Sequence, residues 1–417
     1  MTSKPRYVDP LTALQHVESR SRVYVEGGAG HPDALVPSLL ERADQVGGVE
    51  VVTSPLGAIP AYCQAGTSGI DRVTSLRGDP AMREAIRAGH VRVVPSHLSD
   101  IPRLLAGPLR PDVAIVQVTP PDDRGLCSLG PSVLYHRAAI ASARVVIAQV
   151  NPSLPRTFGD STVHESDIDV WVDLDGDIPT QSRTPATKDE IAVAANLIDL
   201  VPDDAVVQVG MGKLGDAIFG SLTGRSGLRV HAGLISESVL QLVEAGALAD
   251  CRGAITTGAA LGTSEIYSFI NENDLAELRP VEYTHAVATM ASFDMFVSIN
   301  TALQIDMSGQ VNAESISGTQ IGATGGLADF ARGARAARRG LSVVALTSRT
   351  PAGQSRIVQE LSTPVSVTLG RADVDVVVTE CGVADLRGLD LDERQSAIGS
   401  ITSEKSSAEI GGRATHA

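Results

Sequence analysis

Short valine-rich apolar runs, set apart by turn residues and helix-like stretches, recur through the first 175 residues and constrain the fold more than any other feature. They are Val23–Val25, Val49–Val52, Val91–Val94, Val113–Val118 and Val145–Val150, and Pro32 to Ala43 reads as one of the intervening helices. This alternation predicts a mostly parallel sheet in an α/β domain. From Asp175 to Thr187 the chain turns polar and rich in turn residues, which predicts a linker. A second α/β pattern follows. It has a helix at Lys188 to Leu200, a strand at Ala205 to Val209 and a glycine turn opening a helix through Leu222. A strand at Leu228 to His231 and a helix at Ser238 to Ala245 come next. Later strands are expected at Phe296 to Ile299, Leu341 to Leu346, Val365 to Leu369 and Val374 to Val378. The expected domains are residues 1–178 and 186–417.

With 417 residues, 43% of them hydrophobic, the chain can bury a sizeable core, and two domains imply a cleft. Aromatic residues make up only 3%, which leaves few stacking platforms for single-stranded nucleic acid. A formal net charge of −15 argues against binding to duplex phosphates. A small polyanion remains compatible, through helix N-termini and a few Lys or Arg residues. The cysteines Cys63, Cys127, Cys251 and Cys381 show no C-x-x-C spacing and no adjoining histidines, so neither a zinc site nor a disulfide framework is expected. Reduced thiols in a cytoplasm fit best. No apolar run approaches the roughly 18 residues of a membrane span, and Met1 is followed by polar residues rather than an apolar leader. The expectation is a chain without a membrane partner.

Gly210-Met211-Gly212-Lys213-Leu214-Gly215 fits G-x-G-x-x-G after a strand, where backbone amides can cradle a phosphate at a helix start. A dinucleotide fold would want an acidic residue at the end of the next strand, and His231 stands there. Another ligand and a plain packing turn both stay open. Glu237 falls at the next strand-to-helix junction, and parallel topology would bring it to the same sheet edge. Its alternative role is a first-turn glutamate favouring the helix dipole, with Ser236 as N-cap. Glu282 is a competing carboxylate on an apparent loop or strand entrance, and His285 is either a hydrogen-bond donor to developing charge or a structural histidine. Gly322-Ala323-Thr324-Gly325-Gly326 offers small residues whose amides could face an oxyanion, or a tight turn. Thr256 to Gly262 could also let a ligand approach, yet it precedes an apparent helix and reads rather as a connection. Cys381 has no histidine tied to it by sequence, and no G-x-S-x-G elbow supports serine chemistry.

Taken together, several motifs resemble the acetyl-CoA hydrolase/transferase family of class I coenzyme A transferases, over nearly the whole chain. In the N-terminal half they are Pro120 to Gly130 and Asn151 to Asp160. In the C-terminal half they are Val209 to Gly212, Gly233 to Glu237, Arg279 to Thr284, Gly309 to Ser315, Gly325-Gly326 with Asp329-Phe330, and Thr379 to Gly388. The resemblance implies two open α/β domains with the active site in the cleft between them. It also implies a ping-pong acyl-CoA:carboxylate CoA transfer through a glutamyl-CoA thioester. Glu237 fits the nucleophile position better than Glu282, because the family's glutamate follows a Gly-x-His-Ser/Thr stretch at this place. Val209, Gly210, Met211, Gly212 and Lys213 would contact CoA, and Gly322, Gly325 and Gly326 would lie beside the reacting thioester. His285 would donate to the oxyanion, where family members often carry Asn.

The same resemblance makes coenzyme A or acyl-CoA a substrate, with no permanently bound cofactor and no metal. A small carboxylic acid would be the other substrate, and a homodimer is the expected assembly. Several positions near the proposed site depart from the family. Ile235 stands where His is usual, Ser238 where Met is usual, Gly322-Ala323 where Ser-Gly is common, and Leu327 where Gln commonly follows the glycine pair. Ser403 to Ala417 lacks the usual C-terminal continuation. These departures keep open a thioester hydrolase, an acyltransferase with another acceptor, or a CoA-binding paralogue with weakened catalysis.

Overall fold

A computed structural model describes residues 6–56, 59–316, 319–361 and 363–403, so residues 404–417 of the polar tail lie outside it. The chain divides into two compact units. One is Met1–Ser182 with Thr256–Thr284, and the other is Arg183–Ile255 with His285–Ala417. Residues 256–284, expected in the second domain, thus pack with the first unit.

The first unit is built on seven strands: β1 (Arg22–Val25), β2 (Val49–Thr53), β3 (Ile70–Ser75), β4 (Val91–Val93), β5 (Val113–Val118), β6 (Val145–Val150) and β7 (Val170–Asp173). They pair in the order β7-β6-β5-β1-β2-β3-β4, and every pairing is parallel. Alternate residues feed two cores. Val113, Ile115 and Ile147 join one with Leu39 and Ala43 of helix α1 (Val36–Val46), while Ala114, Val116 and Ala148 join the other with Ala139 and Ile140 of helix α2 (His136–Ser142). Burial on both faces is why these strands read as unbroken apolar runs. β3 escapes that pattern because its Asp71 and Arg72 are exposed.

Thr256 to Gly262, expected as a connection, contains a strand instead, Ile255–Ala260. Its Thr, Gly and Ala residues are nearly all buried, and Gly258 O accepts Val133 N–H at 2.9 Å while Ala260 N–H donates to Pro131 O at 2.8 Å. Small residues let the chain pass close to the 131–134 segment, a use of glycine and alanine that β-propensity does not anticipate.

A buried polar node sits beneath β1. His136 Nε2 lies 2.8 Å from Ser132 Oγ and 3.3 Å from Glu26 Oε1, and its Nδ1 bonds the Tyr24 hydroxyl. All four side chains are sealed from solvent. Serine and glutamate meet the same ring nitrogen, so no proton relay runs from one through the ring to the other. Burial lowers His136 to a pKa of about 3 and pushes the Glu26 carboxyl well above the usual carboxylate range, so it favours the neutral form of both groups.

The second unit contains β8 (Val206–Val209), β9 (Arg229–Ile235), β10 (Phe296–Thr301), β11 (Leu341–Ala345), β12 (Val376–Thr379) and β13 (Gly382–Asp385). Their order is β13-β12-β11-β10-β8-β9, parallel except for the β12–β13 hairpin. Helix α3 (Lys188–Leu197) precedes β8 and starts with a capping box, in which Thr187 Oγ1 accepts Glu190 N–H at 3.2 Å and Glu190 Oε2 accepts Thr187 N–H at 2.7 Å. The strand expected at Val365 to Leu369 is absent. Val367 is exposed there, and Leu369 forms only an isolated bridge to Val311.

Candidate functional site

In the second unit the chain runs from β8 to β9 on one side and returns through β10 on the other, so strand order reverses between β8 and β10. Ligands of open α/β sheets gather beyond the carboxyl ends of the strands at such a reversal. Gly210 to Gly212 is the turn that leaves β8 there, and Gly210 N–H donates to Ile299 O of β10 at 2.8 Å. Just below it, inside the two strands, Gln208, Ser298 and Asn300 form a buried network, with Ser298 Oγ donating to Gln208 Oε1 at 2.7 Å and Asn300 Nδ2 donating to it at 3.2 Å. This trio belongs to no motif legible in the sequence. Its signal was polar residues inside otherwise apolar strands.

Gly212 and Gly215 are glycines for different reasons. Gly212 has φ +114°, a conformation L side chains rarely adopt, and starts helix α4 (Lys213–Ser221) without a side-chain cap, which leaves first-turn amides open to an anion. Met211 and Lys213 are exposed beside it, and Val209 is buried. Gly215 faces inward, where an added Cβ would lie 2.0 Å from the Gly210 carbonyl oxygen. Backbone against backbone cannot yield cheaply, so Gly215→Ala is expected to displace α4 and cost about 1–3 kcal/mol. Urea unfolding checks this, and an unchanged midpoint would contradict the packing role.

Glu237 lies at the end of the neighbouring strand. β9 runs to Ile235, four residues further than expected, so the strand delivers the chain almost directly to the carboxylate. A 3-10 turn, Glu237–Val239, follows, and then helix α5 (Leu240–Glu244). Ser236 caps the turn through Ser238 N–H at 3.4 Å, and Glu237 is 7% exposed. A merely dipole-favouring glutamate on a helix start would be solvated. Burial next to a sheet's carboxyl edge is the property expected of a reacting carboxylate.

His285 is 1% exposed and packs against Phe330, with ring centroids 4.7 Å apart. Added Cβ atoms at Gly233, within β9, and at Gly326 would lie 2.9 Å and 2.6 Å from its Nε2. The imidazole is therefore clasped between the strand that leads to Glu237 and the glycine pair preceding helix α6 (Leu327–Ala336). Burial, with a smaller contribution from His231, lowers its pKa to about 3. At neutral pH it is an uncharged ring carrying one N–H.

In the Gly322–Gly326 segment, Gly322 N–H already donates to Glu314 O at 2.9 Å, so any backbone donor for an oxyanion comes from the Ala323 to Gly326 end. Gly325 needs its glycine for φ +57°, while Gly326, at φ −90°, needs it for the approach to His285. The structure thus brings Gly326 and His285 together and puts Glu237 and the Gly210 turn on one sheet edge. Glu282 is exposed on a four-residue helix, Val281–Thr284, and belongs to the other unit. Cys381 is exposed in the β12–β13 turn, and burial and Glu380 raise its thiol pKa. Among the described residues no cluster of three His, Cys, Asp or Glu could hold a metal, and no helix is long and apolar enough to cross a membrane.

Comparison with known proteins supplies context for this geometry. Residues 5–182 match the acetyl-CoA hydrolase/transferase N-terminal domain, and residues 262–410 match the corresponding C-terminal domain. The 4-hydroxybutyrate coenzyme A transferase of Clostridium kluyveri is 35% identical over 96% of this chain and 95% of its own length. The succinyl-CoA:cyclohexane-1-carboxylate CoA transferase of Geobacter metallireducens is 34% identical over 92% and 89%. The crystal structure of RipA from Yersinia pestis superposes with a TM-score of 0.91 at 30% identity, covering 98% of this chain and 97% of that one.

Proposed function

Because this chain belongs to the acetyl-CoA hydrolase/transferase family and is an enzyme of the CoA-transferase kind, we propose that it moves CoA between carboxylic acids through a thioester on Glu237. The observation that carries the reading is the buried Glu237 at the end of β9, one strand from the Gly210 turn.

A carboxylate oxygen of Glu237 attacks the acyl-CoA carbonyl, the C–S bond breaks, and CoA thiolate leaves a mixed anhydride. The thiolate then attacks the glutamyl carbonyl and expels the first acid as its carboxylate. A second carboxylate attacks the glutamyl-CoA thioester and releases the thiolate again. Thiolate attack on the new acyl carbonyl forms the product acyl-CoA and restores Glu237. Carboxylate is a weak nucleophile, so the route needs donors set in advance for each oxyanion and binding energy drawn from the CoA body. We assign the first role to the N–H of neutral His285 and the amides near Gly325 and Gly326, and CoA contacts to Val209–Lys213. Coenzyme A is a substrate in this scheme rather than a resident cofactor. A homodimer in the cytoplasm completes the reading.

The test is peptide mass spectrometry after exposure to candidate acyl-CoAs without an acceptor acid. A CoA adduct on Glu237 is expected, and an adduct on Glu282 would overturn the assignment. The family also contains hydrolases, so free CoA should be measured with and without acceptor. CoA release that ignores the acceptor would favour hydrolysis over transfer.

A further inference from the structure

The amino edge of the second unit's sheet, opposite the edge that carries the Gly210 turn and Glu237, holds a cavity of about 510 Å³. Gly340 and Asp375 line it where they lead into β11 and β12, and Arg387 lines it just past β13, which runs antiparallel to β12. Arg335 comes from the last turn of α6, Arg338 from the turn after it, and Arg394 from helix α7 (Leu391–Ser400). Four guanidiniums thus share the lining with one carboxylate, in a chain whose net charge is −15. That carboxylate is already engaged. Asp375 is 5% exposed, its Oδ1 accepts from Arg335 Nη1, and its Oδ2 accepts Ser342 N–H at 3.0 Å. Arg387 is gripped from one side, with Nε 2.9 Å and Nη2 2.6 Å from the Asp385 carboxylate oxygens. Arg338 Nε donates to Asp294, which also accepts from Arg339 Nη2 at 2.7 Å. Arg394 is half-buried and, among the described residues, meets no carboxylate within 4.0 Å. Its Nη1 donates to the Arg371 carbonyl at 3.1 Å and its Nε to the Leu389 carbonyl at 3.4 Å.

Each fork is therefore fixed on one side and has donors left over. Among the described residues, Nη2 of Arg335, both Nη groups of Arg338, Nη1 of Arg387 and Nη2 of Arg394 have no acceptor. Guanidiniums held in place before a ligand arrives lose little freedom on binding, and their planar forks match phosphate oxygens. The rest of the lining is alanine and glycine, with no aromatic face on which a base could stack. We propose that this cavity is a binding site for a compact diphosphate anion. It lies on the sheet edge away from Glu237 and does not depend on the CoA-transfer reading. The diphosphate bridge of coenzyme A shares this chemistry with a free diphosphate, and the test separates the two.

Inorganic pyrophosphate is titrated calorimetrically into the full chain at low ionic strength, where the attraction is least screened. The expected result is one site per chain, with affinity lowered about tenfold or more in Arg394→Gln and in Arg338→Gln. Neither change strands an acid, since Arg394 has no carboxylate partner and Asp294 keeps Arg339. Urea unfolding midpoints should therefore match the wild type, which separates lost binding from lost folding. Saturating coenzyme A should leave pyrophosphate affinity within about twofold, and citrate should bind at least tenfold more weakly. No binding to the wild type overturns the proposal, as does unchanged affinity in the double variant. Displacement by coenzyme A also overturns it, because the anion would then sit where coenzyme A binds. Citrate binding as tightly as pyrophosphate overturns the assignment to phosphate.

Discussion

Glu237→Gln is expected to lower kcat/KM for CoA transfer by about 10⁴-fold or more, because the amide keeps the shape of the side chain and removes the nucleophile. The CoA adduct should vanish with it. Glu237→Asp keeps the charge but withdraws it by one methylene, and misplacement on that scale should cost about 100-fold. The pair therefore separates loss of chemistry from loss of position. Both variants should retain the wild-type circular dichroism spectrum, since Ser236 rather than Glu237 caps the turn. Transfer activity in Glu237→Gln within tenfold of wild type would rule out the covalent route.

Acid should weaken the fold steeply, and the cause is two buried imidazoles. His136 and His285 have folded-state pKa values of about 3, against an ordinary value of 6.5. The unfolded chain takes up both protons at mildly acidic pH while the folded chain refuses them. Their contribution to stability is thus complete above pH 6.5 and falls away as pH drops toward the folded value. Between pH 6.5 and 4.5 each histidine should cost about 2–3 kcal/mol. Glu26 works in the opposite sense. Its raised folded-state value leaves it costless below about pH 4.5 and destabilising as pH rises from there. Urea unfolding from pH 4.5 to 7.5 tests both signs. His285→Asn should reduce the slope below pH 6.5 by about 1.4 kcal/mol per pH unit, and Glu26→Gln should stabilise the protein at pH 7 but not at pH 4. An unchanged slope in His285→Asn would mean that the ring titrates like an exposed one.

The runs at Val113–Val118 and Val145–Val150 became strands with the expected limits because both of their faces are covered, and burial on both faces is what an unbroken apolar run encodes. β3, with Asp71 and Arg72 exposed after its buried first residue, and Ile255–Ala260, with little bulk of its own, are strands because of what surrounds them. Local sequence carries no record of those neighbours. The position of Glu237 was legible for the same reason as the long strands, since junctions follow from where periodicity changes. The clasp on His285 was not legible. It joins Gly233, His285 and Gly326, which are 52 and 41 residues apart in turn, through contacts that only the folded backbone creates.

The two glycines against His285 also limit how this region can vary. The ring acts as a spacer of fixed width, so a side chain at 233 or 326 has no room while the imidazole remains, and a smaller residue at 285 leaves a void while the glycines remain. Changes here should be tolerated in concert rather than singly. Gly326→Ala alone is expected to lose stability, and combining it with His285→Ala should recover part of that loss, a coupling of about 1 kcal/mol or more in a double-mutant cycle. Diversification of this corner would therefore proceed by compensating pairs, each first step passing through a less stable protein.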